Sequence, residues 1–217
     1  MWTDGDLMEK QTRVFQIGYN KCGTRAIRDL FRRNGFRCVH WDQGRLAKTM
    51  FRNLKAGRSL IHGYEDYDIF TDMECMKNGH SLEGYKLYPE LAKEFPLALF
   101  LLNTRDRERW IQSRMQHQDG KLAQDWKRHY GVSSDDHLQD CWRKDWDSHH
   151  EQVKAFFANS PYRLVIFDIE RDPPAKLAEA MPEVHLDPSK YRKTGTTEED
   201  KARREARRVE RPAAEGA

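Results

Sequence analysis

The sequence predicts a three-layer α/β domain, in which a central and mainly parallel β-sheet carries helices on both faces. Short apolar runs typical of buried strands alternate along the chain with segments that have one apolar helical face. The run over residues 97–105 is apolar over nearly its whole length, as a strand covered on both faces must be. With 217 residues, the chain is long enough for one domain with a sizeable core.

The strand and helix signals follow one another in a regular order. The predicted strands cover residues 14–17, 36–41, 69–71, 97–105 and 162–169. The first helix begins at Thr24 and stops near Gly35, and the helix after the fourth strand is capped by Asp106. Further helical patterns lie over residues 46–54, 87–95 and 118–159. This alternation of strand and helix is the reason to expect parallel strands.

The loop between the first strand and its helix has the parts of an anion-binding cradle. It reads Tyr-Asn-Lys-Cys-Gly-Thr over residues 19–24. Gly23 lets the backbone approach an anion closely, and the N–H groups at the helix start carry partial positive charge. Lys21 adds a full charge and Thr24 a hydroxyl donor. The alternative is an ordinary strand–helix turn with a surface lysine, but the flanking strand and helix favour the anion site.

The loop does not have the Walker A pattern of nucleoside triphosphate-binding proteins. In that pattern the lysine stands at the helix start and is followed by the Ser or Thr that binds magnesium. Here Lys21 comes before Gly23, and Cys22 follows the lysine. This difference weakens the interpretation as an ATP- or GTP-dependent enzyme.

A second candidate anion site follows the fourth predicted strand. Arg105 ends that strand, and Ser113 comes eight residues later in the next helix. An arginine can make a bidentate contact to a phosphate, and the serine can add a hydroxyl donor. Ligands of parallel α/β sheets bind beyond the carboxyl ends of the strands. We therefore expect Arg105 and the Lys21 loop at the same edge of the sheet.

Together the two segments resemble the sulfotransferases that use 3′-phosphoadenosine 5′-phosphosulfate (PAPS), most closely the smaller bacterial and carbohydrate-type members. The Lys21 loop is similar to the family's 5′-phosphosulfate loop, and Arg105 with Ser113 is similar to its 3′-phosphate motif. The resemblance covers roughly residues 13–195. It implies a fold like that of P-loop nucleotide-binding proteins, PAPS as sulfuryl donor, no metal, and in-line transfer to an acceptor hydroxyl or amine.

The resemblance also implies roles for individual residues of the nucleotide site. The donor's 5′ end would contact Lys21, Gly23, Thr24, Arg25 and the backbone N–H of Cys22. Many members have a second Thr or Ser where Arg25 stands, so that its role here is open. Many also have a late glycine-containing loop over the nucleotide. In this chain that loop would contain Arg192, Lys193 and Gly195, although a flexible basic turn fits the same residues.

A general base is expected just after a central strand, where the family often places a Glu, Asp or His. The candidates are Asp72 and Glu74, which a continued strand would put on one face. At least one of them could instead cap the segment that follows. His40, His62 and His80 are the alternatives. Lys21 is the candidate for stabilising the charge on the leaving phosphate.

We expect a single domain over residues 1–217, with a helical insert over residues 114–160 that covers the active site. Residues 197–217 would form a charged C-terminal helix and tail. Aromatic side chains of the insert could stack on an acceptor, or could simply belong to the core. They are Trp126, Trp142 and Trp146, with His117 and His129 beside them.

Composition limits the classes of function. The net charge of +3, from 38 basic and 35 acidic residues, is too balanced for nucleic-acid binding. The four cysteines have neither zinc-site nor disulfide spacing. The N-terminus is not a signal peptide, and the apolar runs are too short to span a membrane. We therefore expect a cytoplasmic protein without an integral membrane segment.

The sequence does not identify the acceptor. A carbohydrate, a lipid headgroup, a small metabolite with a hydroxyl group or a phenol would each fit, and a homodimer is one assembly that the sequence allows. Two other functions compete with sulfuryl transfer. One is a kinase or other nucleotide-binding phosphotransferase, and the other is a non-catalytic nucleotide sensor on the same fold.

Overall fold

The computed structural model describes residues 13–194, and a five-stranded parallel sheet lies at its centre. The strands are β1 Val14–Gln16, β2 Cys38–His40, β3 Ile69–Thr71, β4 Glu74–Lys77, β5 His80–Glu83, β6 Leu99–Thr104 and β7 Arg163–Asp168. The central sheet has the order β2-β3-β1-β6-β7, and each neighbouring pair is parallel. Strands β4 and β5 form a separate antiparallel hairpin.

Helices follow the strands as the alternating pattern predicts. They are α1 Thr24–Arg33, α2 Arg45–Lys55, α3 Tyr88–Glu94, α4 Arg107–Met115, α5 Lys121–Tyr130, α6 Asp135–Ala158 and α7 Ala175–Glu179. Asp106 caps α4, because its Oδ1 accepts the backbone N–H of Arg109 at 2.9 Å. The predicted helical stretch over residues 118–159 is divided at Gly131, which has a left-handed φ of 68°.

Two hydrophobic cores lie on opposite faces of the sheet and confirm the three-layer α/β class. Successive residues of β6 point alternately to the two faces, so that Leu99 and Leu101 enter one core while Phe100 and Leu102 enter the other. Helix α1 packs on the first face, and α6 packs on the second. All four of these β6 side chains are at most 1% exposed. The sheet is thus covered on both sides, as its continuous apolar strand predicts.

One local prediction is wrong. A continued strand would have put Asp72 and Glu74 on one face, but β3 ends at Thr71. Asp72 takes a left-handed φ of 55°, which turns the chain out of the sheet before Glu74 begins β4. The two carboxylates therefore have different surroundings.

Candidate functional site

The loop after β1 turns the chain sharply before α1 begins. Lys21 and Gly23 both have left-handed backbone conformations, with φ of 62° and 72°. The hydrogen bonds of helix α1 begin at Ile27, whose backbone N–H donates to Gly23 O at 3.0 Å. A Cβ atom on Gly23 would lie 2.9 Å from Ile169 Cγ2, so that only glycine fits here without movement. The N–H groups before Ile27 form the positive end of α1.

Asn103, a buried residue of β6, holds this loop in place through its side-chain amide. Its Nδ2 donates to Tyr19 O at 3.1 Å and to Cys22 O at 2.8 Å, and its Oδ1 accepts the N–H of Gly18 at 3.1 Å. Asn103 was not among the residues predicted to belong to the site. An amide in an otherwise apolar strand could have indicated its role, because a buried polar side chain must find hydrogen-bond partners.

Aromatic and imidazole side chains add further support to the loop. Trp110 of α4 donates its indole N–H to Asn20 O at 3.0 Å. His149 of α6 contacts Ile17 O through Nε2 at 2.8 Å. Burial lowers the pKa of His149 to about 4, although the bond to Ile17 opposes this shift, so the ring is neutral at pH 7 and Nε2–H is the donor. Carbonyl groups just before the loop and at its beginning are thus fixed by neighbouring helices.

A cleft of about 560 Å³ opens between this loop and the start of α4. Many of the predicted nucleotide-site residues line it: Lys21, Gly23, Thr24, Arg25, Arg105, Ser113 and Lys193. Asp72 also reaches this cleft. The structure therefore brings together side chains from the ends of β1, β3 and β6, which are far apart in sequence. This is the edge of the sheet at which both anion sites were expected.

Arg105 is oriented by two contacts within the protein. Its Nη1 donates to Lys21 O at 3.1 Å, and its Nη2 forms an ion pair with Glu170 Oε1 at 2.6 Å. A guanidinium has five N–H donors; the Nε–H of Arg105 is buried, so one donor on each Nη remains beyond these two bonds. Burial would raise the pKa of Glu170, but the Asp106 N–H and Arg105 outweigh it, and the pKa is lowered. Glu170 is a site residue that the sequence analysis missed.

The other three predicted nucleotide-site residues are Cys22, Arg192 and Gly195. The Cys22 side chain is fully buried, which raises the pKa of its thiol, and so only its backbone is a candidate for contact. Arg192 is exposed, donates within its own turn to Ser189 O and Tyr191 O, and does not itself line the cleft. Gly195 lies outside the described residues. Tyr191 lines the cleft and was not predicted.

A second cleft of about 380 Å³ adjoins the first. Four residues line both clefts: Asn20, Arg25, Asp72 and His117. The second cleft also contains His40, Trp41 and Glu74, together with Leu122 and Asp125 of α5. Asp72 therefore stands at the junction of the two clefts, where a group from one could meet a group from the other. Helix α5, which belongs to the predicted insert, thus lines this second cleft.

Asp72 is paired with His40, a neighbour from β2. His40 Nε2 lies 3.7 Å from Asp72 Oδ2, and His40 Nδ1 lies 3.0 Å from Thr71 Oγ1. The Thr71 hydroxyl donates to Val39 O at 3.2 Å, so that the same oxygen accepts from Nδ1–H of His40. In neutral His40 the lone pair is then on Nε2, facing Asp72. Burial raises the pKa of Asp72 and lowers that of His40, against their mutual attraction.

Glu74 is buried and paired with an arginine. Its Oε1 lies 3.3 Å from Arg114 Nη2, and both side chains are at most 4% exposed. Burial raises the pKa of Glu74 to about 7, although Arg114 opposes this shift. The Arg114 guanidinium carbon also lies 4.8–5.0 Å from three indole rings, those of Trp110, Trp126 and Trp142. Trp126 and Trp142 thus contact a cation of the protein itself, in agreement with their interpretation as core residues.

Neither a membrane helix nor a metal cluster is found in the part of the chain that the structure describes. Over residues 13–194, no helix is long and apolar enough to cross a membrane. The same residues contain no group of three or more His, Cys, Asp and Glu side chains that could hold a metal ion.

The fold and the site define a parallel α/β protein in which basic side chains and the start of a helix line a cleft at the carboxyl edge of the sheet. The chain matches the family model of the sulfotransferase domain over residues 13–144, which is more than half of its length. It therefore belongs to the sulfotransferase domain family, and this membership supports sulfuryl transfer as its general activity. A search of curated proteins found no match.

Proposed function

We propose that the protein transfers a sulfuryl group from PAPS to a hydroxyl (or amine) group of an acceptor. The main support for this proposal is the first cleft, because residues of both candidate anion sites line it. The Lys21 loop, the start of α1, Arg105 and Ser113 all line this cleft. A donor with anionic groups at both its 5′ and 3′ ends needs such a pair of sites.

The residues present fit this donor. Gly23 lets the chain turn closely against Ile169 at the start of α1, while Lys21 and Thr24 supply a charge and a hydroxyl at the cleft. Arg105 keeps one N–H donor on each Nη for a phosphate, and Glu170 holds its guanidinium in place. Lys193 and Tyr191 line the same cleft and would add a cation and a ring near the nucleotide.

PAPS would supply an activated sulfuryl group. The acceptor oxygen forms the new S–O bond, the bond between sulfur and the bridging phosphate oxygen breaks, and adenosine 3′,5′-bisphosphate leaves. Lys21 stabilises the negative charge that develops on the bridging oxygen, which favours the transition state over the ground state. The rigid loop contributes by keeping the Lys21 backbone in one orientation.

Asp72 acts as the general base in this proposal, because it stands where the two clefts meet. It takes the proton of the acceptor hydroxyl as the new bond forms. His40 then accepts that proton at Nε2, whose lone pair faces Asp72. The opposite pKa shifts of the two groups bring their proton affinities closer together, which favours sharing of a proton. Glu74, the other candidate, is held by Arg114.

The test is calorimetric titration with adenosine 3′,5′-bisphosphate beside ATP and AMP, without magnesium. We expect tight binding of the bisphosphate and weak binding of the other two, because only the bisphosphate engages both anion sites. A preference for ATP, or binding only with magnesium, would favour a phosphotransferase instead. Tight binding without turnover on any hydroxyl or amine acceptor would favour a non-catalytic nucleotide sensor.

A further inference from the structure

The second cleft has an exposed tryptophan on its wall. Trp41 is 42% exposed, whereas the other tryptophans within residues 13–194 are buried. Its backbone is left-handed, with φ of 57°, and the next three residues, Asp42, Gln43 and Gly44, also have positive φ values. Left-handed conformations of non-glycine residues are unfavourable and persist where the surroundings fix them. Here Asp42 accepts hydrogen bonds at 2.6 Å from Arg45 and from the Tyr64 hydroxyl.

The rest of the lining is mainly polar. Among the residues that line the second cleft, only Trp41, Met76 and Leu122 are apolar. The others carry amide, imidazole, guanidinium or carboxylate groups. Pockets for flat apolar ligands are lined predominantly by hydrophobic side chains. This cleft instead combines one aromatic face with many hydrogen-bonding groups, which suits a ring with several hydroxyl groups.

Charges within the cleft are largely balanced by neighbours. Asp125 pairs with Arg128 at 2.6 Å, and Glu74 pairs with Arg114 at 3.3 Å. Arg28 pairs with Asp29 at 2.8 Å; the Asp72 carboxylate, beside His40, is the group left to take a proton from the acceptor. A cationic or anionic acceptor would have to compete with these internal partners, whereas a neutral acceptor would not.

We propose that the second cleft is the acceptor site, and that it takes a neutral, sugar-like ring which stacks on Trp41. This inference rests on the proposed function. Asp72, at the junction of the clefts, takes the proton of one ring hydroxyl, and that oxygen forms the new bond to sulfur as the nucleotide phosphate leaves. The polar side chains around Asp72 accept or donate hydrogen bonds to the remaining hydroxyl groups. An aromatic face packs against the C–H groups of such a ring, and this contact fixes which hydroxyl reaches Asp72.

The experiment measures transfer of labelled sulfate from PAPS to four kinds of acceptor. These are methyl glycosides of common hexoses, octyl glycosides of the same sugars, a simple phenol and an alkylamine. We expect kcat/KM to be highest for the glycosides. A preference for octyl over methyl glycosides would identify the sugar headgroup of a glycolipid, and equal rates would identify a free saccharide. Higher kcat/KM for the phenol or the amine would overturn the inference.

Variants of Trp41 test the stacking contact. Trp41→Ala should raise KM for the preferred glycoside about tenfold, and Trp41→Phe should restore most of the loss. The control is Leu97→Ala, which removes another exposed apolar side chain, 64% exposed and outside both clefts, and should leave KM unchanged. An unchanged KM in Trp41→Ala would overturn the role of this residue as a platform.

Binding of adenosine 3′,5′-bisphosphate distinguishes a failure of the proposed function from a failure of the acceptor inference. Wild type and Trp41→Ala should bind it equally, because Trp41 does not line the first cleft. If neither binds it, the proposed function fails and the acceptor inference fails with it. If both bind it and no glycoside is sulfated, the acceptor inference alone is wrong.

Discussion

Replacement of Asn103 by alanine tests whether its side-chain amide holds the candidate anion-binding loop in its conformation. Asn103 is fully buried and does not line the cleft, so its side chain has no direct contact with a ligand there. Three hydrogen bonds join it to the loop, through Gly18, Tyr19 and Cys22. Any effect of Asn103→Ala on ligand binding must therefore act through the conformation of the loop.

The expected magnitude follows from these three bonds. A hydrogen bond contributes about 1 kcal/mol net, so Asn103→Ala should lower the free energy of unfolding by about 3 kcal/mol. The variant also leaves the Gly18 N–H and two carbonyl groups without this partner. The loop can then relax into other conformations, and part of the binding energy must restore the original one. We expect the affinity for adenosine 3′,5′-bisphosphate to fall about tenfold or more.

Asn53→Ala is the matched control. Asn53 is 1% exposed, and its Nδ2 donates to Leu60 O at 3.2 Å and to His62 O at 2.9 Å, outside both clefts. Its loss should cost about 2 kcal/mol of unfolding free energy and leave nucleotide affinity unchanged. Urea denaturation gives the stabilities, and calorimetric titration gives the affinities. Equal affinities for wild type and Asn103→Ala, despite lower stability, would refute this reasoning.

Three further variants probe the site. Lys21→Ala should lower kcat about 100-fold or more while retaining some bisphosphate binding; steady-state kinetics that show a kcat near wild type would remove its catalytic role. Arg105→Ala should weaken bisphosphate binding at least tenfold by titration, whereas Arg171→Ala, at a side chain 79% exposed at the same sheet edge, should not; similar affinities for both variants would exclude Arg105 as a phosphate ligand. The raised pKa of Glu74, about 7, implies a contribution to stability that is present at low pH and is lost as pH rises through 7. Glu74→Gln should therefore flatten the fall in urea midpoint between pH 5 and pH 8, and a curve parallel to wild type would contradict the shift.

Local patterns were sufficient to predict most of the sheet and the ends of several helices. The predicted third strand coincides with β3, and α1 begins at Thr24 as expected. These features depend on neighbouring residues, through apolar periodicity and capping groups. The hairpin of β4 and β5 was missed although it carried a signal. Asn78 and Gly79 have φ of 53° and 77°, and this dipeptide is typical of two-residue hairpin turns.

Other features depend on contacts that a linear pattern does not contain. Arg114 and Glu74 are 40 positions apart, and only the fold encloses their ion pair in aromatic rings. Asn103 and Gly18 are 85 positions apart, and Arg105 and Glu170 are 65 apart. The sequence identified many of the residues that line the first cleft, because they belong to a loop and a strand end with their own signals. It did not identify the residues that hold them in place.

The contact between Arg105 and Lys21 O also joins the two anion sites. Lys21 keeps an unfavourable left-handed φ of 62°, and the carbonyl of the same residue accepts the Arg105 N–H. A ligand phosphate that fixes Arg105 therefore also stabilises the backbone that carries Lys21. Because Glu170 already orients Arg105, the orientation exists before a ligand binds. In the proposed function, recognition of the 3′ phosphate is therefore coupled to the position of the charge that acts at the 5′ end, and loss of Arg105 should impair turnover as well as binding.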